Sequence, residues 1–330
     1  MKAAIIGDPK RSAKYAPDWP IVKETDKVFF DLDASVEEIV EKAGDADVLL
    51  ADAIAKVPGE LIKRLPGLKL IHSEGVAYNG IDTETAKQCG VPVCNCKGMN
   101  AGAVAEQAIL LMLGLLRDVV GGNEAEKAGR QLAVKQAMMV SGITDLADCK
   151  VGLVGFGDIA VATADRLHAF GSQVYYWNHR RRTPEVEGSH HVKFLPLDEL
   201  LAECDIISLH VAVTPETTGM VNGDFLAKMK PGSYLINTAR GDLVDNAALR
   251  AALESGQIAG AGLDTIAPEP TTADNPLVDL VPAAGVRVLY SPHVGGITTG
   301  SFKRGYRMMW ENVQRVAEGK RPERVVNGCL

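Results

Sequence analysis

Residues 151–160 read VGLVGFGDIA, in which Gly155, Gly157 and Ala160 form a G-x-G-x-x-A pattern between a run of strand-type residues and a helix pattern. The chemistry this spacing allows is the binding of a dinucleotide pyrophosphate. Gly155 permits the tight turn, Gly157 lets the backbone approach the anion, and Ala160 allows close helix–strand packing. Phe156, Asp158 and Ile159 complete the turn, and the helix N-terminus aims its N–H groups at the ligand. About twenty residues further on, an NAD site usually carries Asp or Glu for the ribose hydroxyls. Here residues 174–182 read VYYWNHRRR, so Asn178, His179, Arg180, Arg181 and Arg182 occupy that region, with no carboxylate before Glu185. Arginines form charge-assisted bonds to a 2′-phosphate, which an acidic residue would repel. NADP is therefore the expected cofactor, with NAD the alternative if the arginines form only a solvated basic turn.

Composition bounds what such a site can belong to. The chain has 330 residues, 35 Lys and Arg against 42 Asp and Glu, a net charge of −7, and 46% apolar residues. That much apolar surface excludes intrinsic disorder, and the negative balance argues against a nucleic-acid binder working by bulk charge. At roughly 100–200 residues per domain, the length suggests two domains. No window reaches the ~18 continuous apolar residues of a membrane span; residues 103–116 come closest and are interrupted by Glu106 and Gln107. The opening MKAAIIGDPKR is too short an apolar run for a signal peptide and reads as a first strand. A cytoplasmic protein is expected. Of the six cysteines, Cys89, Cys94, Cys96, Cys149, Cys204 and Cys329, only Cys94 and Cys96 are close, and no second Cys or His pair has zinc spacing. Reduced thiols and no metal are expected.

The elements that must hold these residues alternate. Short apolar strands are expected at 2–7, 47–51, 68–73 and 91–95. A Ser-capped helix ending on glycine is expected at 35–44, with further helices near 58–65 and from Asp82. A long helix is expected at 101–119, followed by a weakly periodic segment, 121–149, that reads as a linker or surface arm. Strand patterns then resume in KVGLVGFG, SQVYYWN, DIISLH, SYLINTA, IAGAGLD and VRVLYS, with helices such as LDELLAEC between them, and a last helix is expected at 298–318. Such βαβ alternation predicts an α/β fold of parallel sheets covered by helices.

Residues 209–270, LHVAVTPETTGMVNGDFLAKMKPGSYLINTARGDLVDNAALRAALESGQIAGAGLDTIAPEP, closely resemble the signature region of the D-isomer-specific 2-hydroxyacid dehydrogenases. SPHVGG (291–296) comes next in the right order, and EGVAYNGID (74–82) and NCKGMNAGAVAEQ (95–107) are similar to that family's substrate loop and domain-crossing segment. The resemblance implies a catalytic Arg, Glu and His, here Arg240 in NTARG, Glu269 in APEP and His293 in SPH. The chemistry is coherent. A guanidinium grips a carboxylate and the adjacent ketone in a planar fork, a His donates the proton that the reduced carbonyl oxygen needs, and a carboxylate favours and orients the imidazolium. The resemblance also places Asp264, Thr238, Ala239, Gly295 and Gly296 at the nicotinamide, His210, Val211 and Thr214 along the adenosine half, and Glu74, Gly75 and Val76 at the substrate carboxylate together with Arg240 and His293. Ala212, Ala77, Ile266 and Lys97 depart from the family's usual residues, and 121–149 lacks its usual Trp-bearing arm.

The resemblance and the alternation together imply a Rossmann cofactor domain over 101–298, inserted into a discontinuous flavodoxin-like substrate domain of 1–100 and 299–330. Both domains are expected to be doubly wound, with a cleft between them that closes on the ligands. A homodimer joined through the cofactor domain is implied, with 121–149 as the candidate arm. Phosphoglycerate dehydrogenases carry an arginine-rich loop where residues 49–60, LLADAIAKVPGE, offer only Lys56, and no C-terminal regulatory ACT domain is expected. A small 2-oxo acid such as hydroxypyruvate or glyoxylate is therefore the expected substrate. Two alternatives stay open: a reductase of a bulkier 2-oxo acid, and a nucleotide-sensing, corepressor-like binding protein.

Overall fold

The apolar runs become two parallel sheets in a computed structural model that describes residues 1–329. One unit comprises Met1–Asn100 and the chain from Ile297 onward, and the second is Ala101–Gly296. In chain order the first unit contains β1 (Lys2–Ile6), α1 (Pro9–Tyr15), α2 (Pro20–Glu24), β2 (Asp26–Phe30), α3 (Val36–Ala43), β3 (Val48–Ala51), α4 (Gly59–Lys63), β4 (Leu70–Ser73), α5 (Thr83–Gln88) and β5 (Val93–Cys94). The second unit begins with α6 (Ala101–Leu116), α7 (Val119–Lys127), α8 (Gln131–Ser141), β6 (Lys150–Val154), α9 (Asp158–Phe170), β7 (Gln173–Trp177), α10 (Pro184–Ser189) and β8 (Val192–Phe194). It continues through α11 (Leu197–Glu203), β9 (Ile206–Leu209), α12 (Gly223–Lys228), β10 (Tyr234–Asn237), α13 (Asn246–Ser255), β11 (Gly260–Leu263) and β12 (Arg287–Tyr290). Finally α14 (Thr299–Ala317) belongs to the first unit again.

The first sheet runs β2-β1-β3-β4-β5, the flavodoxin-like order, and the second runs β12-β11-β10-β9-β6-β7-β8, the Rossmann order extended by one strand. All pairings between the described strands of the two sheets are parallel, so helices must cover both faces and the central strands are mostly apolar. Thus every residue of β3, β4 and β9 is buried. In the first unit, Leu49 and Ile71 pack beneath Ile39, Leu61 and Ile62. On the other face, Leu50 and Leu70 meet Met309, Trp310 and Val313 of α14. Local signals agree with this packing. Ser35 caps α3 by accepting the Glu38 N–H at 3.1 Å, and Asp245 caps α13 through the N–H groups of Ala247 and Ala248.

Three expectations need correction. The helix from residue 101 stops at Leu116, because Asp118 turns left-handed at φ 46° and a separate helix begins at Val119. The segment 121–149, expected as a linker or a surface arm, is helical and contains most of α7 and all of α8. Its periodicity is weak because α8 buries none of its residues, leaving Leu132, Met139 and Val140 exposed. Two strands, β2 and β8, escape the sequence pattern. Both are sheet edges, where half-burial blurs the apolar signal. Among the described residues, no helix is long and apolar enough to cross a membrane, and all six cysteines are free.

His72 lies fully inside the first unit. Its Nδ1 bonds the Ser73 carbonyl at 2.7 Å and its Nε2 accepts from Asn312 of α14 at 3.1 Å. Burial pushes the imidazole down to about 4. Between its unfolded value of about 6.5 and 4, the unfolded chain binds the extra proton, so this contribution to stability is lost as pH falls through that window. Urea unfolding should therefore show the stability gap between wild type and His72→Gln shrinking by about 2 kcal/mol from pH 7.5 to pH 5. A constant gap would mean that His72 protonates freely in the folded state.

Candidate active site

At the end of β6, Gly155 takes φ 100°. A Cβ there would lie 2.7 Å from the His210 carbonyl oxygen and 2.9 Å from Val211 Cγ1. Only glycine fits this turn, where β6 passes beside the end of β9. Around Gly157 no atom lies within 4 Å of the position a Cβ would occupy, so its surface is open to approach. Gly157 is the N-cap of α9, and no side chain caps that helix. The first N–H groups, from Asp158 and Ile159, are thus left to an external acceptor. Beyond β10, the hydroxyl of Thr238 is buried and has no hydrogen-bond partner. An orphaned buried donor of this kind calls for a missing partner. An uncapped helix end beside an obligatory glycine, with an unsatisfied hydroxyl past a neighbouring strand, fits a nicotinamide dinucleotide. His210, with Nε2 3.0 Å from Ser208 Oγ, is pushed by burial down to about 4, so it is neutral at physiological pH. Thr214 is folded into a turn in which its N–H donates to Thr217 Oγ1 at 2.8 Å.

The basic run after β7 does not act as one patch. Asn178 Oδ1 accepts the Phe156 N–H at 3.3 Å, and its Nδ2 donates to the Arg180 carbonyl at 2.8 Å. Arg181 is held by Glu187, a carboxylate of α10 that lies only six residues away, through bonds of 2.8 and 2.9 Å. That pairing corrects the expectation that Arg181 stands free for a phosphate. Arg180 and His179 remain exposed, and Arg180 makes no side-chain hydrogen bond or ion pair among the described residues.

The Arg, Glu and His matched by motif all lie in the second unit, on three loops that come after β10, β11 and β12. Asn237, buried at the end of β10, folds the first loop by accepting the Ala239 N–H at 3.0 Å and donating to the Arg240 carbonyl at 2.9 Å. Arg240 is exposed, and among the described residues its side chain bonds only the Ala239 carbonyl, through Nη1 at 2.6 Å. The second loop is pinned through the Ala267 carbonyl, which accepts from Asn246 at 2.7 Å and Asn275 at 2.9 Å. This places Glu269 Oε2 3.0 Å from His293 Nδ1, with both side chains about two-fifths exposed.

His293 itself adopts a left-handed φ of 52°, a conformation that non-glycine residues keep only when their surroundings impose it. Its N–H is shared between the Asp264 and Ser291 carbonyls at 2.8 and 3.0 Å. The carboxylate of Asp264 holds the rest of the loop. It accepts from the Val294 N–H at 3.0 Å, the Gly295 N–H at 2.9 Å and Ser291 Oγ, and Gln107 Nε2 donates to that Ser291 hydroxyl at 2.9 Å. Asp264 was expected to face a nicotinamide. Instead both its oxygens are taken by the His293 loop, and Gly295 is buried against it. Gly296 and Ala239 are partly exposed, on the loops that carry His293 and Arg240.

In the first unit, the loop after β4 turns three successive carbonyls inward. Cys96 N–H donates to Gly75 O at 2.8 Å, Asn95 Nδ2 to Val76 O at 2.7 Å, and Ser73 Oγ to Ala77 O at 2.6 Å. Among the described residues, the N–H groups of Val76 and Ala77 meet no acceptor, whereas Gly75 N–H is taken by Ser73 Oγ at 3.2 Å. Two adjacent unpaired N–H groups can meet an anion. Gly75, expected at the substrate carboxylate, has its own N–H committed to Ser73 Oγ. Asn95 and Ser73 were missed, since nothing local in the sequence marks which carbonyls they engage. Glu74 needs fuller correction. Its side chain is buried with Arg11, and Tyr306 of α14 donates to Oε2 at 2.9 Å. Burial pushes the Glu74 carboxyl up to about 7. It anchors the loop and does not face a substrate. Among the described residues, no group of three or more His, Cys, Asp or Glu side chains is arranged to hold a metal ion.

Comparison with known proteins identifies the family. The family model described as D-isomer specific 2-hydroxyacid dehydrogenase, NAD binding domain, matches residues 109–295. The chain is 34% identical over 293 residues to a glyoxylate reductase of Thermofilum pendens, covering 89% of this chain and 85% of that protein. It is 31% identical to a hydroxypyruvate reductase of Blautia hydrogenotrophica, covering 88% of each. Its fold is similar to the crystal structure of D-lactate dehydrogenase with NAD+ from Lactobacillus jensenii, with a TM-score of 0.84, 28% identity and 99% of both chains covered.

Proposed function

The chain belongs to the D-isomer-specific 2-hydroxyacid dehydrogenase family, and from that premise we propose that it reduces a small 2-oxo acid, glyoxylate or hydroxypyruvate, to the D-2-hydroxy acid with NADPH. The observation that carries this reading is the His293–Glu269 pair at 3.0 Å on loops neighbouring that of Arg240. Glyoxylate and hydroxypyruvate are the substrates in the names of the two reductases above.

The bound cofactor supplies a hydride from its nicotinamide ring to the substrate carbonyl carbon. Gly155, Gly157 and the N–H groups of Asp158 and Ile159 would hold its pyrophosphate, and the unpartnered Thr238 hydroxyl would offer it a further hydrogen bond. Arg240 offers a fork to the substrate's carboxylate and keto oxygen, and it cannot lose its proton. In the first unit, Val76 and Ala77 offer two N–H donors to a carboxylate. The reduced carbonyl oxygen must then gain a proton. With Nδ1 tied to Glu269, His293 presents Nε2 as the donor. Its partial exposure lets solvent return the proton afterwards.

NADPH is favoured over NADH because Arg180 is exposed and uncommitted, and because residues 178–182 contain no carboxylate to take the ribose hydroxyls. A bulkier apolar substrate is the second reading, favoured by Ile54, which is 74% exposed in the loop after β3. A panel of glyoxylate, hydroxypyruvate, pyruvate and phenylpyruvate, each with NADPH and NADH, tests both. The highest kcat/KM is expected for glyoxylate or hydroxypyruvate with NADPH. A phenylpyruvate preference supports the second reading, a clear NADH preference removes the cofactor assignment, and silence across the panel removes the reductase.

The six free thiols fit a reducing compartment, and we place the protein in the cytoplasm. The exposed Leu132, Met139 and Val140 of α8 form an apolar surface that a second copy of the chain would cover, giving a homodimer. Light scattering that returned a monomer mass would count against that pairing.

A further inference from the structure

Phe156, the middle residue of the Gly155–Gly157 turn, is held from three sides by β7 and the segment after it. Its N–H donates to Asn178 Oδ1 at 3.3 Å. Its carbonyl oxygen accepts from both Nε and Nη2 of Arg182, at 3.1 and 2.5 Å. Its ring is buried against Tyr176 with centroids 4.5 Å apart. The Tyr176 hydroxyl, in turn, accepts the Arg182 N–H at 2.8 Å and donates to Glu187 at 2.8 Å. Glu187 also grips Arg181 through both carboxylate oxygens, and that arginine holds its carboxyl down to about 2.

We propose that the three consecutive arginines divide their work. Arg182 is a positioning residue that sets the peptide planes of the pyrophosphate turn through Phe156. Arg181 is withheld from the ligand by Glu187. Arg180 is the one arginine of the three left to meet a 2′-phosphate. The inference rests on the dinucleotide reading of the turn and adds to it how the turn is kept in shape and which cation reads the phosphate.

The physical case is geometric. A turn that presents N–H groups to an anion works only if its own carbonyls point elsewhere. A forked guanidinium on the Phe156 carbonyl fixes that orientation at two donors, where a lysine ammonium offers one point of contact without the planar fork. A bidentate Arg–carboxylate pair is among the stronger surface arrangements, so recruiting Arg181 would first break two charge-assisted bonds. Arg180 faces no such cost.

Calorimetric Kd values for NADPH and NADH, with melting temperatures of the ligand-free proteins, decide the matter. Arg182→Ala should weaken both dinucleotides by a common factor of about tenfold, with Arg182→Lys recovering part of the loss. Arg180→Ala should weaken NADPH alone, by about tenfold or more. Arg181→Ala should leave both Kd values within about twofold of wild type. The proposal is overturned if Arg182→Ala weakens NADPH only, if it lowers the melting temperature without changing either Kd, or if Arg181→Ala costs as much NADPH affinity as Arg180→Ala. Wild-type protein that binds neither dinucleotide would sink the underlying reading instead, and the inference with it.

Discussion

His293→Ala is expected to lower kcat by about 10²–10⁴-fold while the cofactor Kd stays within about twofold. The size reflects the role: without a positioned acid, the reduced oxygen must take its proton from water. The specificity reflects how the loop is built. The left-handed turn at His293 is held by main-chain bonds, its own N–H to Asp264 and Ser291 carbonyls and the Val294 and Gly295 N–H groups to the Asp264 carboxylate. Truncating the side chain leaves every one of these in place, so the loss is chemical and not a collapse of the loop. Glu269→Gln keeps a hydrogen-bonding group near Nδ1 but removes the charge that orients the His293 ring. It should cost a smaller factor, about 10–100-fold in kcat, with little change in KM. Single-turnover measurement of cofactor oxidation isolates the step from product release. Turnover near wild type in His293→Ala would remove this residue from the proton transfer.

The second large effect is expected at a residue with no side chain. A Cβ on Gly241 would sit 2.1 Å from Ala267 N and 2.5 Å from Ile266 C, inside the backbone of the loop that carries Glu269. Neither partner yields easily. Asn237 folds the Arg240 side of the contact, while Asn246 and Asn275 fix the Ala267 carbonyl. Gly241→Ala must therefore push the Arg240 loop and the Glu269 loop apart by roughly an ångström, and a shift of that size in reacting groups costs about 10²-fold in rate. We expect kcat/KM to fall at least that far, with destabilisation of about 1–3 kcal/mol from overpacking. Gly223→Ala is the control, since no atom lies within 4 Å of its Cβ position and it should behave as wild type. Wild-type kinetics in Gly241→Ala would show that the two loops can separate without cost, and the contact would lose its importance.

Much of the fold and part of the site were readable from the chain alone. Parallel strands buried on both faces are mostly apolar, so β3, all apolar, and β4 and β9, apolar but for His72, Ser73 and Ser208, were readable. Helix caps are local, so Ser35 was legible before α3, and the G-x-G-x-x-A spacing is local as well. The family resemblance singled out Arg240, Glu269 and His293, and the fold puts them on the loops after β10, β11 and β12. The edge strands β2 and β8 and the two helices after Asp118 were obscure because an element with one covered face, or none, carries a weak pattern.

Partner choice was decided only by the tertiary structure. Three arginines in a row look equivalent as letters, yet Glu187 claims one, the Phe156 carbonyl claims another, and Arg180 has no side-chain partner among the described residues. Asp264 reads as a ligand contact until its oxygens are seen on the His293 loop, and Glu74 reads as a substrate group until Arg11 and Tyr306 are seen around it. A charged or polar side chain pairs with whatever the fold brings within about 3 Å. For Glu74 and Tyr306 that partner lies 232 positions away. Residue types and spacing thus settle what chemistry the chain can carry, and folding settles which of those residues are free to perform it.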